Sequence, residues 1–222
     1  MAEIDRAAAM GPAAWLREQF NTAPRDSHWA CVVERKGPIG CTVCDAQYIN
    51  ATMESFGDQA VRGPDPLRQR TVLALSELFV VSSVNSPVEI QEDAHASDLD
   101  MLSRNAFGNF RTLIEQVSTQ PTMGLYLSHQ RSEKEDPATG RIPEENSARE
   151  VMQLFTIGLW QLNPDGTRKK DGAGCDLPTF AQADVMGLAR VFTAWSFKGN
   201  STSGDQWRPV ALGRCQLQSC RW

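Results

Sequence analysis

The stretch Arg141-Ile-Pro-Glu-Glu-Asn-Ser-Ala-Arg-Glu-Val-Met-Gln-Leu-Phe-Thr-Ile-Gly158 restricts the fold more than any other part of this chain. Pro143 suits the first turn of a helix, where its missing N–H costs nothing. Gly158 suits the C-terminal cap. Between them each residue rotates by ~100° around the axis. That rotation places Glu145, Asn146, Arg149, Glu150 and Gln153 on one contiguous arc. Ala148, Val151, Met152, Leu154 and Phe155 fill most of the rest. The segment therefore reads as an apolar helix carrying a dense stripe of charge and amide.

The rest of the chain is punctuated in the same way. Met1 to Phe20 is Ala-rich with interspersed charge and reads as amphipathic helix, restarted by Pro12 after Gly11. Residues 45–60 form a helical pattern. Gly63-Pro-Asp-Pro66 then supplies a turn, an N-cap at Asp65 and Pro at the first helical position. The helix that follows, to about Ser82, is apolar almost all round (Leu67, Val72, Leu73, Leu75, Leu78, Phe79, Val80, Val81), the pattern of a helix buried in the core. Residues 83–96 read as loop. Ser97 caps a helix to about Phe107. Gly108 interrupts it, Phe110 to Ser118 follows, and Pro121 starts a short helix that ends near His129. A polar loop, 130–142, leads into the stripe helix. The last helix spans 180–196, with Thr179 and Gln182 in a capping-box pattern.

Strand patterning is nearly absent. Residues 159–178 are the one β region, a small hairpin around the turn signal Leu162-Asn-Pro-Asp-Gly166. Asn200 to Trp222 reads as irregular tail. The chain of 222 residues fits the size of one large domain. The expected fold is mainly α, a single helical domain with a minor β-hairpin and ragged termini. It divides into a helical, Cys-containing lead-in over 1–44, a helical core over 45–198 and the tail over 199–222.

Composition excludes some classes. A formal charge of −5 argues against nucleic acid, because phosphate binding needs clustered Lys and Arg. No apolar run approaches the ~20 residues of a membrane span, and no signal peptide opens the chain. Six cysteines suggest an oxidising compartment. Cys31 lies upstream of Cys41-Thr-Val-Cys44, Cys215 and Cys220 stand near the C-terminus, and Cys175 sits alone. Disulfides are the first expectation, free thiols the second. Zinc would need two such pairs brought together.

The stripe has two readings. Its charges either face solvent or form a structural ion network with Arg68, Arg70, Arg104 and Arg111, or else Glu145 and Glu150 line a cleft as general acid and base or as oxygen ligands for a hard cation. Glu77 shares an edge with Arg70. Asp184 falls inside the apolar face of its helix, yet its place in the first turn also gives it a role at the helix dipole. His129 follows an apolar helix and either reaches a site or, the first expectation, is a solvated helix-end residue. His28, His95 and His129 form no local metal motif. Asn163 to Asp176 has a calcium-loop flavour without the spacing or closing Glu of an EF-hand. No Walker, G-x-G-x-x-G or G-x-S-x-G motif occurs, so no metal set or cofactor is specified.

Three blocks resemble the bacterial domain of unknown function 1800 family. They are Gly63 to Arg70 with Ala74 to Ser82, Arg104 to Arg111 with Pro121 to Ser128, and Arg141 to Gly158 with Ala183 to Val185 and Leu188 to Trp195. The resemblance spans about residues 60–197. It implies a mainly α-helical fold and an extracytoplasmic home, with no general biochemistry attached. Members often occur beside a family of exported, sulfatase-like proteins, which makes another exported protein the implied partner. Ser147 stands where the family usually has an aromatic residue, and Ala194 where it usually has Gly. The family pattern continues beyond the Trp195 region, and the family's usual N-terminal helices and export signal are expected to be missing here, so the chain is expected to be the central portion of a longer protein. Two functions follow: an interaction or assembly module, or a cell-surface hydrolase using Glu145 and Glu150 with Asp184 or His129 in support.

Overall fold

The computed structural model describes residues 2–24, 27–36, 50–82, 84, 92–197 and 217–219. The chain is mainly α, as the sequence implies. Its helices are α1 (Ala2–Met10), α2 (Pro12–Asn21), α3 (His28–Lys36), α4 (Ala51–Arg62), α5 (Pro66–Phe79), α6 (Glu92–Asn105), α7 (Phe110–Ser118), α8 (Pro121–Tyr126), α9 (Asn146–Glu150) and α10 (Gln182–Val191). Strands β1 (Trp195–Phe197) and β2 (Leu217–Ser219) pair antiparallel, with Ser196 opposite Gln218. Contacts divide the chain into two compact units, Met1–Leu113 and Ile114–Trp222.

In the first unit α6 occupies the centre, packed against α3, α4 and α5. It is buried along nearly its whole length, although its sequence is the polar run Glu92-Asp-Ala-His-Ala-Ser-Asp-Leu-Asp-Met-Leu-Ser-Arg-Asn105. This reverses one expectation: α5, not α6, carries the apolar sequence, yet Leu73 and Leu78 of α5 are exposed. Its buried residues are Arg68, Gln69, Val72 and Phe79. Burial follows packing partners rather than apolar content. The start of α6 also corrects the boundary read at Ser97. Glu92 and Asp93 sit in its first turn, where the helix dipole favours acids.

The polar residues of α6 are buried because other helices need them. The Thr52 N–H of α4 donates to the Glu92 carboxylate at 3.0 Å, and the Thr52 hydroxyl donates to the Glu92 carbonyl at 2.9 Å. At α3, the His28 and Trp29 N–H groups donate to the two oxygens of Asp100 at 2.8 and 3.2 Å. Neither α4 nor α5 receives a side-chain hydrogen bond from its own N-cap residue. The Leu67 N–H of α5 reaches Gln19 of α2, at 3.4 Å. Some of the free donors of these helix starts are thus met by carboxylates and an amide from other helices, with Ser27 accepting the Ala30 N–H at 3.2 Å as a local cap of α3, which goes part of the way to the requirement that every helix start imposes. Val32, Ala51 and Ala96 form the apolar junction of α3, α4 and α6, with Trp29 packed on it.

In the second unit α9 runs directly into one π-helical turn, Val151–Phe155. The helix starts at Asn146, not at Pro143, which is buried in the segment before it. Gly158 behaves as read: its φ is 72° and its N–H donates to the Met152 carbonyl at 2.9 Å. Ala148 packs with Val185, Ala189 and Phe192, joined by Val151, Met152, Phe180 and Leu188, so the apolar side of α9 lies on α10.

Residues 159–179 form the expected β region as a closed meander of three short segments. The Gln161 N–H donates to the Leu177 carbonyl, the Leu177 N–H to the Lys169 carbonyl and the Lys169 N–H to the Gln161 carbonyl, at 2.8–2.9 Å. Each segment thereby pairs with both others. The turn at Asn163–Gly166 is present, with Leu162 bridged to Arg168. The last helix is shorter than read. It ends at Val191, and Trp195 belongs to β1. Within the stretch read as tail, Leu217–Ser219 form β2.

Ala194 sits at φ 64°, in the left-handed region where a Cβ is disfavoured. Its N–H donates to the Ser132 carbonyl at 2.9 Å, while the Arg131 N–H donates to the Trp195 carbonyl at 2.9 Å. This pair of bonds fixes the backbone there and explains why glycine suits the position. Ala194→Gly relieves strain of ~1–2 kcal/mol and gives back part of it through the freer unfolded chain. The expected result in urea melts is a net gain of up to about 1 kcal/mol. A loss would show that this backbone does not hold its left-handed turn.

Candidate functional site

Two of the stripe residues, Glu145 and Arg149, are engaged with each other and with Gln182. Glu145 accepts from Arg149 at 3.1 Å and from the Gln182 amide at 2.7 Å. Arg149 also donates to Gln182 at 3.0 Å, so the three side chains form a closed triangle between α9 and the start of α10. Asn146 is exposed, and Gln153 is half-buried on the π turn. Glu150 differs from them. Its Oε2 is buried with no hydrogen-bond partner.

Asp184 is exposed and accepts the Ala181 N–H at 2.8 Å, the helix-start role expected from its position. The Thr179 hydroxyl does not cap this helix as its sequence pattern implied, but donates to the Gly158 carbonyl. His129 is 1% exposed. Its Nδ1 lies 2.5 Å from the Ser147 hydroxyl, which also donates to the Leu127 carbonyl at 3.2 Å. Its ring packs against Phe192 at 5.2 Å, and Nε2 has no partner in good hydrogen-bond geometry. Burial pushes His129 down to about 4, with the Ser118 backbone pulling the other way.

Of the arginines named from sequence, Arg68 is buried and Arg70, Arg104 and Arg111 are exposed, as is Glu77. Arg68 donates to the carbonyls of Ser103 at 2.7 Å and Thr22 at 3.0 Å, and its guanidinium lies over the Phe107 ring. It stands 3.6 Å from Asp65. In the meander, Asp171 accepts the N–H groups of Ala173 and Cys175, and Asp176 pairs with Arg168 and Lys170. These carboxylates close turns and ion pairs, which leaves little of the calcium-loop pattern. Among the described residues no three His, Cys, Asp or Glu side chains are placed to share a metal ion. Cys31 and Cys175 are free thiols. Cys41, Cys44, Cys215 and Cys220 lie outside the described residues. No described helix is long and apolar enough to cross a membrane.

A second polar centre, which sequence reasoning missed, lies inside the first unit. Asp65, Gln69, Gln59, His28 and Ser55 are all buried and linked in one chain. Gln69 Nε2 lies 3.4 Å from both Asp65 Oδ2 and Gln59 Oε1, Gln59 Nε2 lies 3.1 Å from His28 Nδ1, and Ser55 Oγ lies 3.0 Å from the same nitrogen. Burial lowers His28, against the pull of Asp100 and Asp65, and lowers His95. Burial raises Asp98 to about 7. Gly63 is required beside this centre. A Cβ there would meet the Gln59 carbonyl oxygen at 2.4 Å and Asp65 Oδ1 at 2.9 Å. The signal in the sequence was the spacing Gln59…Asp65…Gln69, which only a tertiary contact with His28 makes meaningful.

Residues 1–212 match the family described as Protein of unknown function (DUF1800). The chain belongs to that family. The match takes in the N-terminal helices as well as the three blocks named above. No curated protein and no solved structure matches the chain.

The lowered His129 makes a signed prediction. Its folded-state pKa lies below the unfolded value, so the neutral ring stabilises the fold above about 6.5, and that contribution is lost as pH falls toward about 4. His129→Gln removes the titration and keeps a polar side chain. Urea melts at pH 7 and pH 4.5 should show a smaller acid loss in the variant than in the native chain. Equal losses would mean that the ring is protonated normally.

Proposed function

We propose that this chain is an interaction or assembly module that works with another exported protein in an extracytoplasmic setting. The observation that carries the reading is the surface after α9. Leu154, Ile157, Leu159 and Leu162 are 51, 56, 46 and 55% exposed within one short run. Large apolar side chains concentrated in this way mark contact surfaces. Beside them, the triangle of Glu145, Arg149 and Gln182 has no carboxylate left over for chemistry. Asp184 is likewise engaged at its own helix start.

The test uses a purified sulfatase-like exported protein encoded beside a chain of this family. Calorimetric titration should detect binding to the native chain. A Leu154→Ser, Leu159→Ser double variant should bind at least about tenfold more weakly, a loss of ~1.4 kcal/mol, with an unchanged melting temperature. Absent or equal binding would sink the reading.

A hydrolase reading has one observation in its favour, the buried and unpartnered Oε2 of Glu150 at the head of the π turn. Single π turns often occur at functional sites. If Glu150 holds a hard cation for surface hydrolysis, Ca²⁺ or Mg²⁺ should raise the melting temperature of the native chain and not that of Glu150→Gln. No cation response in either protein leaves the assembly reading alone.

A further inference from the structure

The buried relay of the first unit fixes its own hydrogen positions. Gln69 Nε2 faces Asp65 Oδ2, so the Gln69 group there is the donating NH₂. The same NH₂ faces Gln59, which turns the Gln59 oxygen toward Gln69 and its NH₂ toward His28 Nδ1. That nitrogen must therefore accept. The proton of the neutral imidazole then sits on Nε2.

This assignment leaves a defined set of unmet groups. His28 Nε2 is a buried donor without an acceptor. Gln69 Oε1 and Asp65 Oδ1 are buried acceptors without donors. His95 Nδ1, from α6 of the same unit, is unmatched as well, and Arg68 Nε, from α5, meets Asp65 Oδ2 only as an ion pair at 3.6 Å. All five residues are at least nine-tenths buried. An unmet buried polar group destabilises the fold, so several on one connected chain call for occupants.

We infer that the interior of the Met1–Leu113 unit is a binding site for uncharged hydroxylic molecules, which accept from His28 Nε2 and donate to Gln69 Oε1 and Asp65 Oδ1. The chemistry selects this class. An anion would meet two unmatched acceptors, one of them a carboxylate oxygen. A metal ion would need a lone pair at His28 Nε2, and the relay places a proton there. An apolar molecule would leave every group unmet. A hydroxyl donates and accepts from a single uncharged oxygen. Water and the hydroxyls of a small polyol share this chemistry, and buried water commonly makes ~3 such bonds.

The experiment combines a high-resolution crystal structure of the full chain grown without polyols, thermal melts with glycerol as the probe, and ¹⁵N NMR of the histidine rings. The site predicts ordered oxygen atoms within hydrogen-bond distance of His28 Nε2 and Gln69 Oε1. It predicts a His28 ring protonated at Nε2. It also predicts that Gln69→Met, which keeps the volume and removes the amide, lowers the melting temperature by several degrees. A saturable rise in melting temperature with glycerol, seen in the native chain and lost in Gln69→Met, assigns the site to polyols. Ordered oxygens without that rise assign it to water. A His28 ring protonated at Nδ1 overturns the inference, and so does an interior without ordered oxygens together with a Gln69→Met chain as stable as the native one. The ring assignment is read on the unmutated chain, so it stands even if the variant does not fold.

Discussion

The capping of helices by residues from other helices is the constraint on which the first unit depends. A helix start exposes N–H groups that need acceptors, and the local N-cap residues of α4 and α5 do not supply them. Glu92 and Asp100, both on α6, reach the starts of α4 and α3. A carboxylate at a helix N-terminus gains both hydrogen bonds and the dipole field. This explains why a helix rich in Asp and Glu is the one at the centre. It also sets the crossing points of α3 and α4 on α6, because each helix start must arrive where the acid is. Apolar contacts such as Val32, Ala51 and Ala96 then fill the space between.

The second unit handles charge by a different arrangement. Glu145 of its stripe is neutralised by Arg149 four residues on and also accepts a hydrogen bond from Gln182 of the facing helix. The energetic worth of such a half-exposed pair is small. Its value is geometric, since it pins the start of α10 beside α9 while Ala148, Val185 and Ala189 pack beneath. The π turn that follows breaks the helical wheel. A turn with wider hydrogen bonds rotates each residue by less than an α-helix does, so Leu154, apolar on the wheel, ends up half-exposed. The same departure leaves Glu150 at the join with one oxygen unpaired.

Much of the architecture was legible. The Gly11–Pro12 restart, the Pro66 and Pro121 helix starts, the Gly158 cap and the turn at Asn163–Gly166 are local signals, written in residues whose backbone preferences do not depend on the rest of the fold. The family assignment rested on blocks of such residues, and the match over residues 1–212 supports it. The candidate site was legible only as a list. Glu145, Arg149 and Glu150 were visible as a stripe, but their partners, Gln182 for two of them and none for Glu150 Oε2, come from elsewhere in the chain.

The sequence by itself determined that this chain is helical, where the helices that begin at Pro12, Pro66, Phe110 and Pro121 start, and which family it belongs to, because those properties follow from periodicity and from residues with fixed backbone habits. Tertiary structure alone decided which helix is central, since Glu92 and Asp100 become interior residues only when α3 and α4 bring unsatisfied N–H groups to them. It also decided that His28, Gln59, Asp65 and Gln69 form one chain, across helices that are distant in sequence. Hydrogen-bond demand is a property of three-dimensional neighbours, and no periodicity along the chain encodes it.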